Sequence, residues 1–179
     1  IDSKAEEIAK IESLNTGKPF HLALNDELPA ISDVFRYYAG ACRNMPGMAA
    51  GEYMSGFTSM IRRDPIGVVA SIAPWNYPYN TSVNSIVPSL LSGNCIILKH
   101  SSQTPLCAEQ LDKAAKSSGM PKGVFQFLHL DHNSTSKIIA DNRIDHVLFT
   151  GSVSGGKQVK KAIGERFINA GLELGGKDP

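Results

Sequence analysis

Apolar positions change their spacing partway along this chain, and the change divides it. From Ile1 to about residue 14 they recur at helical intervals, at Ile1, Ala5, Ile8 and Ile11. Thr16-Gly17-Lys18-Pro19 then predicts a helix break. A second helical pattern runs from about Asp26 to Arg43 and carries Leu28, Ile31, Val34, Phe35 and Tyr38. Gly, Pro and Ser punctuate residues 44–59, which predicts a loop or an irregular hairpin. From residue 66 the pattern becomes four nearly continuous apolar runs, 66–73, 95–98, 124–128 and 146–149, as expected of parallel strands buried on both faces. Helical patterns come after them at about 79–91, 105–118, 134–140 and 155–164, with Gly93-Asn94 and Gly119 where helices should end. Strand and helix alternate with short links. The predicted fold is therefore α/β, a doubly wound parallel sheet preceded by N-terminal helices. The predicted division is 1–60, a helical segment with its connecting loop, and 61–179, the alternating β/α unit.

Composition adds limits rather than direction. Of 179 residues, 42% are hydrophobic and 20% charged, which is ordinary globular usage with enough apolar surface for one sizeable core. The net charge of +1 is spread along the chain, with no basic run for nucleic acid and no acidic tail, so a small-molecule partner is expected. No apolar stretch approaches the ~20 residues of a membrane span, and there is no signal peptide. Cys42, Cys95 and Cys107 form no C-x-x-C pair and no metal-binding spacing. They read as reduced thiols in a cytoplasmic setting. The chain starts without Met and stops at Pro179 after a Gly-Gly-Lys segment, so both ends read as cut.

In doubly wound sheets ligands bind beyond the carboxyl ends of the strands. The exit segment of each apolar run is therefore informative. These segments are Pro74-Trp75-Asn76-Tyr77-Pro78, Lys99-His100-Ser101-Ser102, His129-Leu130-Asp131-His132-Asn133 and Thr150-Gly151-Ser152 through Gly156. They gather polar, aromatic and glycine residues at one sheet edge, where a nucleotide would sit. Ser152 can cap a helix whose free N–H groups and dipole favour a phosphate, although the spacing is not G-x-G-x-x-G. Lys99 can reach ribose hydroxyls or a 2′-phosphate; it can equally be a lysine snorkelling at a strand end. Asn76, fixed between prolines, can donate to a developing oxyanion; Asn and Pro are also ordinary turn formers. Glu173, flanked by Leu and Gly, would have its pKa raised by desolvation and suit general-base work, or else be an exposed glutamate on an edge strand.

The ordered set Thr16-Gly17-Lys18-Pro19, Tyr37-Tyr38-Ala39-Gly40, Pro74-Trp75-Asn76-Tyr77-Pro78, Gly93-Asn94, Leu98-Lys99, Gln103-Thr104-Pro105, Phe149-Thr150-Gly151-Ser152 and Leu172-Glu173-Leu174-Gly175-Gly176-Lys177 resembles the aldehyde dehydrogenase superfamily. The likeness spans essentially the whole chain and is nearest in flavour to semialdehyde and amino-aldehyde dehydrogenases. It implies a Rossmann-like cofactor domain for NAD or NADP, with the catalytic domain absent from this chain. It implies a reaction in which a cysteine thiolate attacks an aldehyde, hydride leaves for the nicotinamide, and a glutamate-activated water releases the carboxylic acid from a thioester. Carried over by motif, Asn76 is the oxyanion donor and Glu173 the general base. Ile72, Pro74, Trp75, Lys99, Ser101 and Ser102 would face the cofactor from the first two strand ends. Thr150, Gly151, Ser152, Gly156, Leu174 and Gly175 would face it from the last. A homodimer or homotetramer is implied for the full-length protein.

Three departures from the family pattern stand out. Ser102 replaces a glutamate that commonly binds the ribose hydroxyls. A carboxylate would repel a 2′-phosphate and Ser102 would not, so tolerance of NADP is expected. Ser85 stands where a lysine is usual. The 130–134 loop, normally glycine-rich, is bulkier. The resemblance implies that the nucleophilic cysteine would lie beyond Pro179, and none of the three cysteines present has its context, so the chain alone is expected to be inactive. The competing expectation is a dinucleotide-binding or structural relative that has lost catalysis.

Overall fold

The computed structural model describes residues 1–176; Lys177, the last residue of the Leu172–Lys177 motif, lies outside them. Helix α1 (Ala5–Thr16) ends where the sequence predicts, because Gly17 adopts φ +76°, a left-handed conformation that closes the last turn. A helical turn α2 (Phe20–Leu22) then leads through a π-helical segment (Ala23–Glu27) into α3 (Leu28–Ala41). Residues 44–59, expected as a loop or hairpin, contribute to a hairpin of β1 (Met48–Met54) and β2 (Phe57–Ile61), whose register is broken by irregularities. The predicted division at residue 60 falls inside β2.

Next come β3 (Val68–Ile72), α4 (Pro78–Leu91), β4 (Cys95–Lys99), α5 (Pro105–Ser117), β5 (Phe125–Leu128), α6 (His132–Ile139), β6 (His146–Gly151), α7 (Val153–Ala162) and β7 (Asn169–Leu174). The five strands from β3 to β7 form one parallel sheet in the order β5-β4-β3-β6-β7, wound outward in both directions from β3. Side chains alternate across it. Val69, Ile96, Leu98 and Phe125 pack under α4 and α5, while Ala70, Val147 and Ile139 pack with α7 on the other face. Burial of each larger side chain among these, Val, Ile, Leu or Phe, contributes about 1.5–3 kcal/mol. The N-terminal helices dock on the outside of α4 and α5 through Ile8, Leu28, Ile31, Tyr79 and Val83. They thus form a further layer against the same unit. Among the described residues, no helix is long and apolar enough to cross a membrane.

Inside that added layer is a charged cluster. Lys18 Nζ donates to Glu12 Oε1 at 2.9 Å and also to Glu27 Oε1. Glu12 is fully buried, and its Oε2, like that of Glu27, has no hydrogen-bond partner. Burial, opposed by Lys18 and reinforced by Glu27, pushes the Glu12 carboxyl up to about 7. This shift makes stability depend on pH. An unfolded glutamate releases its proton near 4.5, whereas the folded one keeps it to about 7, so the folded state binds more protons in between. Stability is therefore full below pH 4.5 and falls as pH rises through 7, by on the order of 2–3 kcal/mol. Denaturant midpoints between pH 5 and 8 should fall for the wild-type protein and stay nearly flat for Glu12→Gln; parallel curves would refute the assignment.

Candidate functional site

The carboxyl ends of the strands form a rim, and a cleft of about 450 Å³ opens along it on the α6–α7 side. Ile72, Lys99 and Phe149 occupy one row across β3, β4 and β6, which aligns the three strand ends. From these ends Ile72 and Pro74, Lys99 and Ser101, and Thr150, Gly151 and Ser152 all line the cleft. Residues as far apart in the chain as Ile72 and Ser152 thus meet because parallel pairing puts every strand exit on the same edge.

Lys99 is the cation of this cleft. It is only 9% exposed, and desolvation lowers its pKa. Among the described residues, no Asp or Glu lines the cleft with it. A buried ammonium without a counter-ion is costly, and an anionic ligand would relieve it. The helix α7 supplies a second attraction. Ser152 caps it, accepting a hydrogen bond from the Gly155 N–H at 3.1 Å through its side chain. The cap explains why the helix begins at Val153, two residues ahead of the sequence pattern. Gly151 and Gly155 lie against the Phe149 ring, so that a Cβ at either would collide with it, at 2.8 and 2.5 Å.

The remaining predicted residues are placed differently. Gly156 is buried away from the cleft, under the Leu174 side chain, where its lack of a Cβ lets α7 approach β7. Gly175 donates its N–H to Gly151 O at 2.9 Å, extending the β6–β7 pairing past Leu174. Ser102 is exposed and off the cleft wall; Ser101 is the serine that faces in. Trp75 and Asn76 are exposed in the loop before α4 and line neither cleft. Glu173 pairs with Thr150 in the sheet and faces the opposite side, where a second cleft of about 740 Å³ is bounded by Thr81, Asn84 and Ser85 of α4 and by His146 and Leu148. Asn76 and Glu173 therefore do not share a cavity among the described residues. Ser85 is already engaged, 2.6 Å from Ser71 Oγ and donating to Ser82 O at 2.9 Å.

His132 and Asn133 of α6, from the third strand-exit segment, line the first cleft as expected of that edge. Thr135 and Ser136 of α6 and Gln158 of α7 line it too and had no sequence signal of their own. The bulky 130–134 loop is short in fact, because Asp131 caps α6 by accepting from Ser134 N–H at 2.7 Å. An Asp three residues before a Ser, ahead of an apolar pair, was the cue for that helix start. His100, in the loop directly after β4, is buried. Its Nε2 lies 3.1 Å from Pro78 O and its Nδ1 2.8 Å from Thr104 Oγ1. Desolvation lowers its pKa, so the neutral ring donates to the carbonyl and accepts from the hydroxyl. Cys107 is fully buried and burial pushes its thiol up to about 12, whereas Cys42 and Cys95 are half-buried. An apolar cavity of about 330 Å³ between α3, α4 and α5 lies far from the rim chemistry.

A parallel sheet wound both ways from its central strand, with the charged cleft at its carboxyl rim, defines the Rossmann-like class of α/β domain. Its relatives can be named more closely. The chain belongs to the aldehyde dehydrogenase family, whose model matches residues 1–179. It is 38% identical to the NADP/NAD-dependent aldehyde dehydrogenase PuuC of Escherichia coli, over 99% of this chain and 36% of that protein. The succinic semialdehyde dehydrogenase of Streptococcus pyogenes, solved in complex with NADP+, superposes with a TM-score of 0.92 at 28% identity, over 99% of this chain and 38% of that one. The NAD-dependent aldehyde dehydrogenase of Sinorhizobium meliloti gives 0.94 at 33% identity, over 99% and 35%. The chain thus spans a little over a third of the length of these relatives.

Proposed function

We propose that the full-length protein oxidises an aldehyde, of the semialdehyde or amino-aldehyde type, to a carboxylic acid with NAD or NADP. The observation that carries this reading is the uncompensated Lys99 in the same cleft as the capped amino terminus of α7. These residues fit a dinucleotide. Glycines at 151 and 155 keep side chains off the turn, N–H groups and the helix dipole favour a diphosphate, and Lys99 favours ribose oxygens or a further phosphate. Bound there, the cofactor supplies the hydride acceptor. Asn76 holds the oxyanion of the reacting aldehyde, and Glu173 takes a proton from the water that releases the acid. Trp75, which lines neither cleft of this chain, would border the cofactor channel of the full-length protein, and Leu174 and Gly175 would close that channel beside Gly151.

The nucleophilic thiol is proposed to lie in the part of the protein beyond this chain. Cys107 is buried with a raised pKa, and neither Cys42 nor Cys95 is beside the rim cleft, so the isolated chain would not turn over aldehydes. The hairpin of β1 and β2 presents Tyr53, Phe57, Met60 and Ile61 to solvent, each more than half exposed. Such apolar exposure favours a homodimer or homotetramer in which another subunit covers it. A cytoplasmic location fits the three free thiols.

The test is the full reading frame, expressed and assayed for acid formation from a panel of semialdehydes and amino-aldehydes with each dinucleotide. Turnover with both NAD and NADP is expected, and Ser102→Glu, whose longer side chain can bring a carboxylate toward the rim from its exposed position, should raise the KM for NADP by about a few-fold through screened carboxylate–phosphate repulsion. Strict use of NAD by the wild type would overturn the NADP assignment. The second reading, a non-catalytic dinucleotide binder, draws on Ser85, Ser102 and the separation of Asn76 from Glu173. A downstream Gly-Gln-x-Cys segment decides against it.

A further inference from the structure

The loop Pro74–Pro78 carries the proposed oxyanion donor Asn76. An amide that must meet a developing charge has to be held within a fraction of an ångström, so the contacts by which this chain restrains the loop matter. On the α4 side the loop is fixed through Pro78, whose carbonyl lies 3.1 Å from His100 Nε2 and also accepts from Ser82 Oγ at 2.6 Å. At its middle it has a different restraint. Lys18 Nζ sits 4.2 Å from the centre of the Tyr77 ring.

Lys18 is itself fixed at both ends. Its N–H donates to Thr16 Oγ1 at 3.1 Å, and its carbonyl accepts from Ser13 Oγ at 2.7 Å. Its ammonium is held between Glu12 and Glu27. The arrangement is a poor choice as glue. Two buried carboxylates share one ammonium, and each keeps an oxygen without a partner. Apolar side chains of the same volume would commonly be as stable or more so. What apolar side chains cannot supply is a fixed point charge against an aromatic face, worth about 0.5–2 kcal/mol and directional.

We propose that Lys18, braced by Glu12 and Glu27, is a positioning residue that holds the Tyr77 ring and so fixes the adjacent Asn76 amide. The proposal rests on the aldehyde-oxidising reading above for its kinetic consequence, but not for its structural one. Lys18 touches neither substrate nor cofactor and acts through Tyr77.

The experiment uses the full-length enzyme as wild type, Lys18→Met, Lys18→Arg, Tyr77→Leu and the Lys18→Met/Tyr77→Leu double variant. Lys18→Met should lower kcat about tenfold or more while leaving the KM for the dinucleotide unchanged. Lys18→Arg, which keeps the charge over the ring, should restore it. Tyr77→Leu, which removes the aromatic face but keeps an apolar side chain, should match Lys18→Met, and the double variant should be no worse than either single one. Fluorine-labelled tryptophan, with the Trp75 resonance assigned by its loss in Trp75→Phe, gives a readout that needs no turnover. That resonance should broaden or split in Lys18→Met and return to its wild-type form in Lys18→Arg. A kcat loss that Lys18→Arg fails to rescue, additive losses in the double variant, or an unchanged Trp75 signal in Lys18→Met would each overturn the proposal. If the wild type oxidises no aldehyde, the aldehyde-oxidising reading fails while the Trp75 signal still decides the positioning role.

Discussion

Replacing Glu173 with Gln in the full-length enzyme is expected to lower kcat by roughly 10²–10⁴-fold, the usual contribution of a positioned general base. Gln keeps the shape and the hydrogen-bonding reach but cannot accept the proton of water. Because the proposed role lies after the aldehyde has been oxidised, the first turnover should be spared. Rapid mixing should show reduced dinucleotide forming in one burst of about one equivalent per active site, before a slow phase. Aldehyde KM should not rise, since the substituted group contributes to no ground-state contact in this scheme. Glu173 is on the sheet face opposite the Lys99 cleft, at a register position beside Thr150 and across from α4. A base there works from the side of the sheet away from the proposed diphosphate seat, which suits a group that must activate water rather than bind cofactor. Loss of the burst together with steady turnover would place Glu173 earlier in the reaction, and unchanged kcat would remove it from the chemistry.

The strands that carry the Lys99 cleft were legible because they are buried on both faces. Val69, Ile96, Leu98 and Val147 leave little room for polar residues between them, so an unbroken apolar run marks each one. The edge strand β7 was not legible in that way. Ala170 and Leu172 pack against the α7 side, but Gly171 and Glu173 face the open side, and no continuous run results. The cleft itself was half legible. Lys99 and Ser152 stand directly after strand runs, where topology brings ligand contacts, whereas the α6 wall comes from a helix whose polar first turn resembles any loop. Gly156 shows a further limit. Its place in the glycine-rich turn suggested phosphate contact, but two successive helical residues face directions about 100° apart, and only tertiary packing decides which meets Phe149 beside the cleft and which meets Leu174. Lys18 was read only as part of a helix stop. Its partners lie six residues before and nine after it, and nothing local announces that a chain reversal through Pro19 will bring two carboxylates onto one ammonium.

The two glycines differ enough to be told apart by substitution, and Gly155→Ala is expected to be the damaging one. Its new Cβ would stand 2.5 Å from Phe149 Cζ and 3.2 and 3.4 Å from the two Cε atoms. A ring struck end-on has no flexible tip to swing aside. It must turn as a whole, and the space available to it is the cleft that Phe149 already lines. The overpacking should cost about 1–3 kcal/mol in stability. A ring displaced into the dinucleotide seat should also weaken NAD binding by about 10–100-fold, since each 1.4 kcal/mol of lost contact is a factor of ten. Gly156→Ala meets a different neighbour. Its Cβ would come within 2.6 Å of Leu174 Cδ2, but that is the end of a flexible side chain rather than a rigid ring. Stability should then change by less than about 1 kcal/mol, helped by the better helix propensity of Ala. Thermal midpoints and calorimetric titration of the full-length protein with NAD measure both effects side by side. Equal losses in the two variants would mean that the Phe149 ring is not the barrier, and a tight-binding Gly155→Ala protein would show that the turn beside Ser152 is not where the dinucleotide sits.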